Sequence, residues 1–287
     1  MTENRLLVVE KQSGQLARES GLLVKKPARK VVIVLPAYNA SKTLLRTLAE
    51  IPEEYIRHLI LVDDASQDNT VAVARAAGLK VFQHEVNRGY GGNQKTCYRA
   101  ALKAGADVIV MLHPDHQYDA TVIPRLVRPI IKGEADAVFG SRMLGGRPLE
   151  GGMPWWKYTA NILLTALANI SFQRYLTEIH SGFRAYSRKY LETVRFEENS
   201  DDFVFDTEII AQGMSCNLTF QEVPIVTRYF PEASSINFTR SVKYGLAILV
   251  VLFRYLLHRT GVWCIRQFLP KRTTHHDLSH RYLSGCQ

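Results

Sequence analysis

Two apolar segments of this chain each end in a cluster of acidic and polar residues. In LVDDASQDNT (61–70) Asp63 and Asp64 follow the apolar run, and in VIVMLHPDHQYD (108–119) it is His113, Asp115 and Gln117. A carboxylate at the end of a strand can accept a hydrogen bond from a base N–H or a ribose hydroxyl. Asp is also a common helix cap, so a structural role stays open for each acid taken singly.

The spacing of Asp115 and Gln117 is compatible with binding of one metal ion. Alternate side chains of an extended loop share a face, so both oxygens can reach the same cation. Mg²⁺ typically takes one or two carboxylates and fills the rest of its shell with water and phosphate oxygens. A polar turn has the same spacing and remains the alternative. Zinc is disfavoured, because these residues and His113 form a poor zinc set without a neighbouring cysteine or third histidine.

The basic residues indicate an anionic ligand. Lys and Arg number 36 against 27 Asp and Glu, which favours phosphate, nucleic acid or acidic lipid. Arg142 in GSRM and Arg184 in HSGFRAYSR lie among Ser and Gly, where a guanidinium can bind phosphate through two hydrogen bonds. A surface arginine is the alternative for each one singly, but together with the overall basic charge they favour phosphate. Nucleic acid is disfavoured, because the acids at the strand ends would repel it unless a metal intervened.

A glycine-rich segment, NRGYGGNQ (87–94), opens a predicted helix. Its glycines permit close approach of a ligand to the backbone, and a helix N-terminus attracts anions. The segment does not match the P-loop pattern, and a plain glycine-rich turn is the alternative.

The first half of the chain alternates between apolar runs and helical patterns. Predicted strands cover 31–36, 58–64, 79–84, 106–112 and 135–142, with helical segments between them. Apolar strands that alternate with amphipathic helices indicate an α/β fold with a mostly parallel sheet and helices on both faces. Ligands bind beyond the carboxyl ends of such strands, which is where the acidic clusters fall.

The second half is less regular. SGFRAYSRKYLETV (181–194) predicts a strand and a short helix, and LTFQEVPIVTRYF (218–230) predicts edge strands divided by Pro224. SVKYGLAILVVLFRYLLHR (241–259) predicts an amphipathic helix whose composition suits a bilayer surface. Packing in the core or against a second copy of the chain is the alternative for this helix. Its apolar run is shorter than the roughly 18 residues of a spanning helix.

The ordered series of motifs resembles the family 2 glycosyltransferases of GT-A fold, and within them the dolichyl- and polyprenyl-phosphate sugar synthases. The matching segments are VVIVLPAYNA, LILVDDASQDNT, NRGYGGNQKTCYRAAL, VIVMLHPDHQYD, AVFGSRM, HSGFRAYSR, DDFVFDTEIIAQ and EVPIVTRYFPEASSINF. The resemblance implies a Rossmann-like GT-A domain at 30–235 and apolar, interfacial helices at 236–270. A polar arm at 1–29 and a basic tail at 271–287 would flank them.

The resemblance also implies roles for individual positions. The residues that would bind the nucleotide sugar are Pro36, Ala37, Tyr38, Asn39, Asp64, Asn87, Gly89, Lys95, His113 and Asp115. Mg²⁺ or Mn²⁺ would be held by Asp115 and Gln117, and the acceptor phosphate by Arg142, Lys157 and Arg184. The implied catalytic set is Asp115, Arg142, Arg184, Glu208 and Arg228, the last on a loop that closes over donor and acceptor.

Two positions depart from the family pattern. Ala40 stands where the family usually has an acid after Tyr-Asn, and His113 stands where its aspartate-rich motif usually begins with Asp. The loss of that carboxylate weakens metal binding or leaves the contact to Asp115 alone.

The reaction that the resemblance implies is an inverting transfer of a sugar from a UDP- or GDP-linked donor to a polyprenyl phosphate. The protein would act in the cytoplasm, peripherally bound to the cytoplasmic face of the membrane; a homo-oligomer stays open. One alternative is transfer to a saccharide hydroxyl in cell-surface polysaccharide synthesis, with Asp206 or Glu208 as the base. Another is a non-catalytic nucleotide-sugar binder, which His113 suggests.

Overall fold

The computed structural model describes residues 29–145, 148–149, 152–228 and 238–271. Most of the predicted arm, most of the predicted tail and residues 229–237 of the predicted closing loop therefore lie outside the described residues. Within them, one sheet is built from β1 (Val31–Ala37), β2 (Leu59–Asp63), β3 (Lys80–Gln83), β4 (Val108–Met111), β5 (Ala137–Ser141), β6 (Arg184–Ser187) and β7 (Phe220–Pro224). Their order is β3-β2-β1-β4-β6-β5-β7.

The sheet is mostly parallel, which confirms the predicted α/β class. Strands β1 to β4 run parallel, and β7 runs parallel to β5. Only β6 is antiparallel to its neighbours in this sheet, with Met111 opposite Arg184 and Val108 opposite Ser187. The reversal brings the start of β6, and the HSGFR segment before it, to the edge where β4 ends. The sequence pattern did not indicate this reversal.

Helices cover both faces of the sheet. They are α1 (Leu44–Ala49), α2 (Thr70–Ala76), α3 (Gly89–Lys103), α4 (Ile123–Lys132), α5 (Arg142–Gly145), α6 (Trp155–Phe172), α7 (Arg188–Thr193), α8 (Phe205–Ser215) and α9 (Phe238–Arg259). Alternate residues of β1 enter two separate cores: Val32 and Val34 pack with α3 and α8, while Ile33 and Leu35 pack with α1 and α4. A strand buried on both faces reads as a continuous apolar run, which explains the pattern in the sequence.

Pro224 lies differently from its predicted place, and Pro129 lies inside a helix. Pro224 is the last residue of β7 and does not divide a pair of edge strands; β7 pairs with β5 along its whole length. Pro129 lies inside α4, which ends at Gly133 with a left-handed φ of 76°. Proline has no N–H to donate, so α4 lacks one internal hydrogen bond at this point and the remaining contacts with the sheet hold it.

Helix α9 packs on α6 and α8 along one side and exposes apolar side chains on the other. Leu246 and Phe253 of α9 are 61% and 62% exposed, and Leu163 and Ile170 of α6 are 59% and 73% exposed. By length and composition, Thr239–Arg259 is a candidate membrane span, with 28% of its apolar window buried in the fold. The helix thus extends beyond the short apolar run seen in the sequence.

Candidate active site

Two adjoining cavities lie at the edge of the sheet where the parallel strands end. The larger cavity encloses about 740 Å³ and the smaller cavity about 240 Å³. The residues that line both of them are Tyr90, His113, Asp115, Phe203 and Tyr244. A molecule in one cavity would therefore meet a molecule in the other across this shared wall.

The larger cavity is lined by residues that follow β1 and β2 and by the start of α3. Among them are Pro36, Ala37, Tyr38, Asp64, Asn87 and Gly89. Asp64 accepts hydrogen bonds from the backbone nitrogens of Arg88 at 2.8 Å and Gly89 at 3.0 Å. Its carboxylate thereby fixes the turn in front of α3, where Gly89 has a φ of 81° that favours glycine.

A buried histidine forms a hydrogen bond with the Asp64 carboxylate. His84 Nδ1 lies 2.7 Å from Asp64 Oδ1, and His84 Nε2 lies 3.0 Å from Thr96 Oγ1. With Nδ1 as the donor, Nε2 accepts from the threonine hydroxyl, so both ring nitrogens are satisfied. Asp64 thus faces the cavity in a fixed orientation and keeps acceptor capacity for one further donor on a ligand.

Asp115 lies at the junction of the two cavities. Its Oδ1 accepts a hydrogen bond of 3.1 Å from the backbone nitrogen of Gln117. Burial raises the pKa of the Asp115 carboxyl, with the charge of His113 acting in the opposite direction. A partly buried carboxylate of this kind gains from a cation beside it.

The chemistry of this junction fits a divalent cation bound largely by its ligand. The described residues contain no cluster of three or more His, Cys, Asp or Glu side chains suited to a metal. Mg²⁺ and similar ions need only one or two protein carboxylates when phosphates supply further oxygens. Asp115 meets that requirement, whereas Gln117 lines the smaller cavity only.

His113 stacks on an aromatic side chain that the sequence patterns did not single out. The rings of His113 and Tyr90 are 5.5 Å apart and nearly parallel, at 7°, and Nε2 lies 3.4 Å from the tyrosine hydroxyl. A Cβ at Gly182 would come within 2.8 Å of that nitrogen, so the glycine of HSGFR makes room for the imidazole. Burial lowers the pKa of His113 and favours the neutral ring.

The smaller cavity has a cationic end. Arg142 lines it and is paired with Glu178, which accepts from the arginine backbone nitrogen at 2.7 Å and from Nε at 2.8 Å. Lys157 lines the same cavity, with its amine 5.3 Å from the Trp156 ring centre. Burial lowers the pKa of Lys157, and the charge of Arg142 lowers it further.

Other lining residues of the smaller cavity are apolar. They come from α6 and the residues before it, namely Met153, Trp156, Ala160 and Leu164. Leu163, the residue before Leu164, is exposed on the surface of α6. The cavity therefore combines cations that suit an anion with a surface that suits a hydrocarbon group, and it lies beside the exposed apolar side chains of α6 and α9.

Arg184 is not one of the described residues that line either cavity. It is 1% exposed, and its guanidinium donates to the backbone oxygens of Ser181 at 2.6 Å and Ile179 at 2.8 Å. Its Nη1 is 3.4 Å from Asp206 Oδ1. This geometry differs from the expected contact with an acceptor phosphate. The antiparallel course of β6 turns the side chain into the fold, where it fixes HSGFR.

Three further residues implied by the resemblance also lie away from both cavities. Glu208 accepts from the backbone nitrogen of Ser200 at 2.6 Å. Lys95 donates to Asp201 at 2.7 Å. Arg228 is paired with Glu50 at 2.7 Å. Each therefore supports a neighbouring loop in this structure.

Asn39 belongs to the same group. It has a φ of 52°, and its side chain accepts from the backbone nitrogen of Gln67 at 2.8 Å. Asn39 thus holds the segment after β1, while Ala37 and Tyr38 beside it line the larger cavity.

Several lining residues were not recognised in the sequence. They are Tyr90, Asn93, Trp156, His180, Phe203, Arg240, Lys243 and Tyr244. Tyr90 and Asn93 lie inside the glycine-rich segment, and His180 precedes SGFR, so proximity to a motif was the available signal for these three. The residues from α9 had no such signal, because only the folded chain brings that helix to the cavities.

Comparison with known proteins identifies the family. The sequence model described as glycosyl transferase family 2 matches residues 32–195. An uncharacterized protein of Methanocaldococcus jannaschii is 30% identical over 199 residues, which cover 69% of this chain and 82% of that protein. The UDP-N-acetylglucosamine–dolichyl-phosphate N-acetylglucosaminyltransferase of Methanococcus voltae is 27% identical over 216 residues, 69% of this chain and 86% of that protein. The polyprenol monophosphomannose synthase of Mycolicibacterium smegmatis is 25% identical over 213 residues, which cover 70% of this chain and 78% of that protein.

Solved structures confirm the GT-A fold. The glucosyl-3-phosphoglycerate synthase of Mycobacterium tuberculosis, in complex with Mn²⁺, UDP and glucosyl-3-phosphoglycerate, matches with a TM-score of 0.60 and 21% identity over 80% of both chains. A structure of that enzyme with Mg²⁺ and UDP also has a TM-score of 0.60, at 20% identity. At these identities the likeness concerns the fold alone. Because the family model matches more than half of its length, this chain belongs to glycosyl transferase family 2.

Proposed function

We propose that this protein transfers a sugar from a nucleotide sugar to a polyprenyl phosphate and releases a nucleoside diphosphate. The observation that carries the proposal is the smaller cavity, where Arg142 and Lys157 lie beside an apolar wall. Its shared wall with the larger cavity at Asp115 would bring the two substrates together. Two relatives named above act, by their names, on dolichyl phosphate or polyprenol, which supports the same class of acceptor here.

The nucleotide sugar would occupy the larger cavity. Asp64 would accept a hydrogen bond from the base or the ribose, and Gly89 allows the backbone to approach the ligand closely. Arg240 and Lys243 also line this cavity and add positive charge near a diphosphate. The sugar would then lie at the wall shared by Tyr90, His113 and Asp115.

Asp115, which lines both cavities, would hold Mg²⁺ or Mn²⁺ against the diphosphate, whereas Gln117, the second ligand that the resemblance implied, lines only the smaller cavity. When bound, the ion would stabilise the negative charge that develops on the departing diphosphate. The protein's own part is to hold donor and acceptor on opposite sides of the anomeric carbon, so that transfer inverts the configuration there. Arg142 and Lys157 would position the acceptor phosphate without protonating it.

A phosphate acceptor fits this cavity better than a hydroxyl acceptor. A phosphate is anionic at neutral pH, whereas a hydroxyl needs a base within hydrogen-bond reach. Asp206 lines the smaller cavity but accepts from Tyr90 at 2.8 Å and from Gln94 at 3.1 Å, and it is paired with Arg184. Glu208 lies outside the cavity altogether. The other carboxylate in the described lining is Asp115, which the proposal assigns to the metal ion, so neither acid of this cavity is left for the task of a base.

A lipid acceptor would also explain why α6 and α9 expose apolar side chains. Those side chains would enter the interfacial layer of a membrane, next to the smaller cavity, so that the phosphate of the lipid reaches Arg142 and Lys157. We propose peripheral binding at the cytoplasmic face of the membrane. Mixed apolar and basic composition in α9 supports this placement.

The proposal is tested with purified protein, Mn²⁺ or Mg²⁺, and UDP-N-acetylglucosamine, UDP-glucose or GDP-mannose. Each donor is incubated with and without a polyprenyl phosphate, and release of nucleoside diphosphate is measured. We expect one donor to be consumed in a lipid-phosphate-dependent reaction. Equal release with a saccharide in place of the lipid phosphate would favour transfer to a hydroxyl, and absence of release with every donor would favour a non-catalytic binder.

A further inference from the structure

His180, a residue of the smaller cavity's lining, has one buried ring nitrogen without a partner among the described residues. The residue lines that cavity, and its Nε2 is buried and has no hydrogen-bond partner among the described residues. Buried polar atoms in folded proteins nearly always have a partner, so an exception asks for an explanation. An atom of this kind in a cavity wall is explained when a ligand supplies the missing hydrogen bond.

The other nitrogen of His180 is engaged. Nδ1 lies 3.3 Å from the hydroxyl oxygen of Tyr244, and the two rings meet edge to face with centres 5.9 Å apart. Burial raises the pKa of the Tyr244 hydroxyl, so it keeps its proton and can donate it to Nδ1. A neutral imidazole has one N–H, and if Nδ1 accepts, that N–H is on Nε2. With Tyr244 as the donor to Nδ1, Nε2 carries the ring N–H and can donate a hydrogen bond.

The surroundings of His180 keep the ring neutral. Burial lowers its pKa to about 4; Glu178 opposes the shift, and the positive charges of Arg142 and Arg184 add to it. A neutral donor can hold a phosphate oxygen without transferring a proton to it. The phosphate then remains anionic, as a nucleophile must.

We infer that His180 Nε2–H donates a hydrogen bond to the phosphate of the acceptor, next to Arg142 and Lys157. The inference rests on the proposed function and deepens it, because it names a residue that recognises the acceptor and not the donor. It also gives Tyr244 a role: its hydroxyl sets the tautomer of His180 from α9, the helix with the exposed apolar face.

Two substitutions separate the nitrogens of this side chain. His180→Asn keeps an amide near the position of Nδ1, and so preserves a partner for Tyr244, but removes the donor at Nε2. His180→Gln extends its amide nitrogen to near the position of Nε2. Both are compared with the wild-type full chain, with farnesyl phosphate as the acceptor and the nucleotide sugar that the wild type uses. The KM for farnesyl phosphate is measured, together with the Kd of the released nucleoside diphosphate by calorimetry.

We expect His180→Asn to raise the KM for farnesyl phosphate about tenfold to a hundredfold, as for loss of a hydrogen bond to a charged group. We expect His180→Gln to restore most of that loss, and the nucleotide Kd to be the same in all three proteins. Equal KM values for Asn and wild type, or equal losses for Asn and Gln, would overturn the inference while leaving the proposed function intact. A wild-type protein that transfers no sugar to farnesyl or a longer polyprenyl phosphate would overturn both.

Discussion

Glu178 binds Arg142 at three points, accepting from its backbone nitrogen at 2.7 Å, from its Nε at 2.8 Å and from its Nη2. Asn161 of α6 donates to the same carboxylate at 2.7 Å. Glu178 therefore ties the end of β5 to α6 and fixes the guanidinium at the wall of the smaller cavity. Because Glu178 compensates the charge of Arg142, Lys157 contributes the uncompensated positive charge among the residues that line this cavity.

Loss of Glu178 should destabilise the fold. Glu178→Ala breaks the ion pair with the partly buried Arg142, and breaking a buried pair from one side costs about 3–5 kcal/mol. We expect the free energy of unfolding, measured by urea denaturation, to fall by about this amount. Glu134→Ala serves as the control, because Glu134 makes an exposed pair with Lys132 at 3.5 Å, and such pairs contribute about 0–1 kcal/mol. Equal effects of the two changes would contradict the assignment.

The pH dependence of stability should reflect the same pair. Burial alone would raise the pKa of Glu178, but Arg142 lowers it overall, below the ordinary value of 4.5. The folded state thus binds a proton less readily than the unfolded state, so the contribution is present above pH 4.5 and is lost as the pH falls through the lower folded pKa. We expect the unfolding free energy of wild type to fall more steeply below pH 4.5 than that of Glu178→Gln. Parallel curves would count against this role.

His180 should add a second acid-sensitive step at higher pH. Its folded pKa of about 4 lies below the ordinary 6.5, so the unfolded chain takes up a proton first as the pH falls. Stability is therefore lost between about pH 6.5 and 4. We expect the midpoint of thermal unfolding of the wild type to fall over this interval. The midpoint of His180→Gln should fall less, because glutamine has no titrating ring. An identical decline in both proteins would exclude His180 as the source.

Asp115 should be required for metal-assisted donor binding. We expect Asp115→Asn to lower kcat/KM by about a hundredfold or more, the order seen when one stabiliser of transition-state charge is removed. We also expect weaker binding of Mn²⁺ in the presence of nucleoside diphosphate, measured by electron paramagnetic resonance. Asp119→Asn is the control, because Asp119 caps the short helical turn at Ala120–Val122 in the same loop. Unchanged Mn²⁺ binding in Asp115→Asn would place the ion elsewhere.

Arg184 should behave as a structural residue. Removal of its guanidinium in Arg184→Met leaves Asp206 buried without its cation and frees the backbone oxygens of Ser181 and Ile179. We expect a loss of about 3–5 kcal/mol in the free energy of unfolding. In Lys157→Met, by contrast, we expect an increased KM for the lipid phosphate with little change in stability. A stable Arg184→Met that raised only the acceptor KM would restore the role that the resemblance implied.

The exposed face of α9 should bind membranes. We expect Phe253→Glu and Leu246→Glu to reduce sedimentation of the protein with vesicles that contain anionic lipid, because each places a charge where the apolar surface would enter the interface. Ile56→Glu is the matched control, since Ile56 is also exposed, at 46%, but lies on the turn before β2, outside α6 and α9. Equal loss in all three variants would argue against this surface.

The sequence predicted the parallel part of the fold because apolar strands and amphipathic helices have distinct periods. Asp64 and Asp115 were placed correctly at the strand ends, since chain topology alone brings those ends together. The orientation of Arg184 was not accessible, because it depends on β6 running antiparallel to β4. The contributions of Tyr244 and Lys243 depend on how α9 folds back over the cavities, which is a matter of tertiary packing. His180 becomes distinctive only when the absence of a partner for its Nε2 is visible in the structure.

The most direct test of the central claim is mass spectrometry of the lipid product. Purified protein is incubated with Mn²⁺, a nucleotide sugar that it consumes, and undecaprenyl phosphate. The account predicts a lipid whose mass exceeds that of undecaprenyl phosphate by one sugar residue, formed in a one-to-one ratio with nucleoside diphosphate and abolished in Asp115→Asn. Unmodified undecaprenyl phosphate, with the sugar recovered free or on a saccharide, would contradict it.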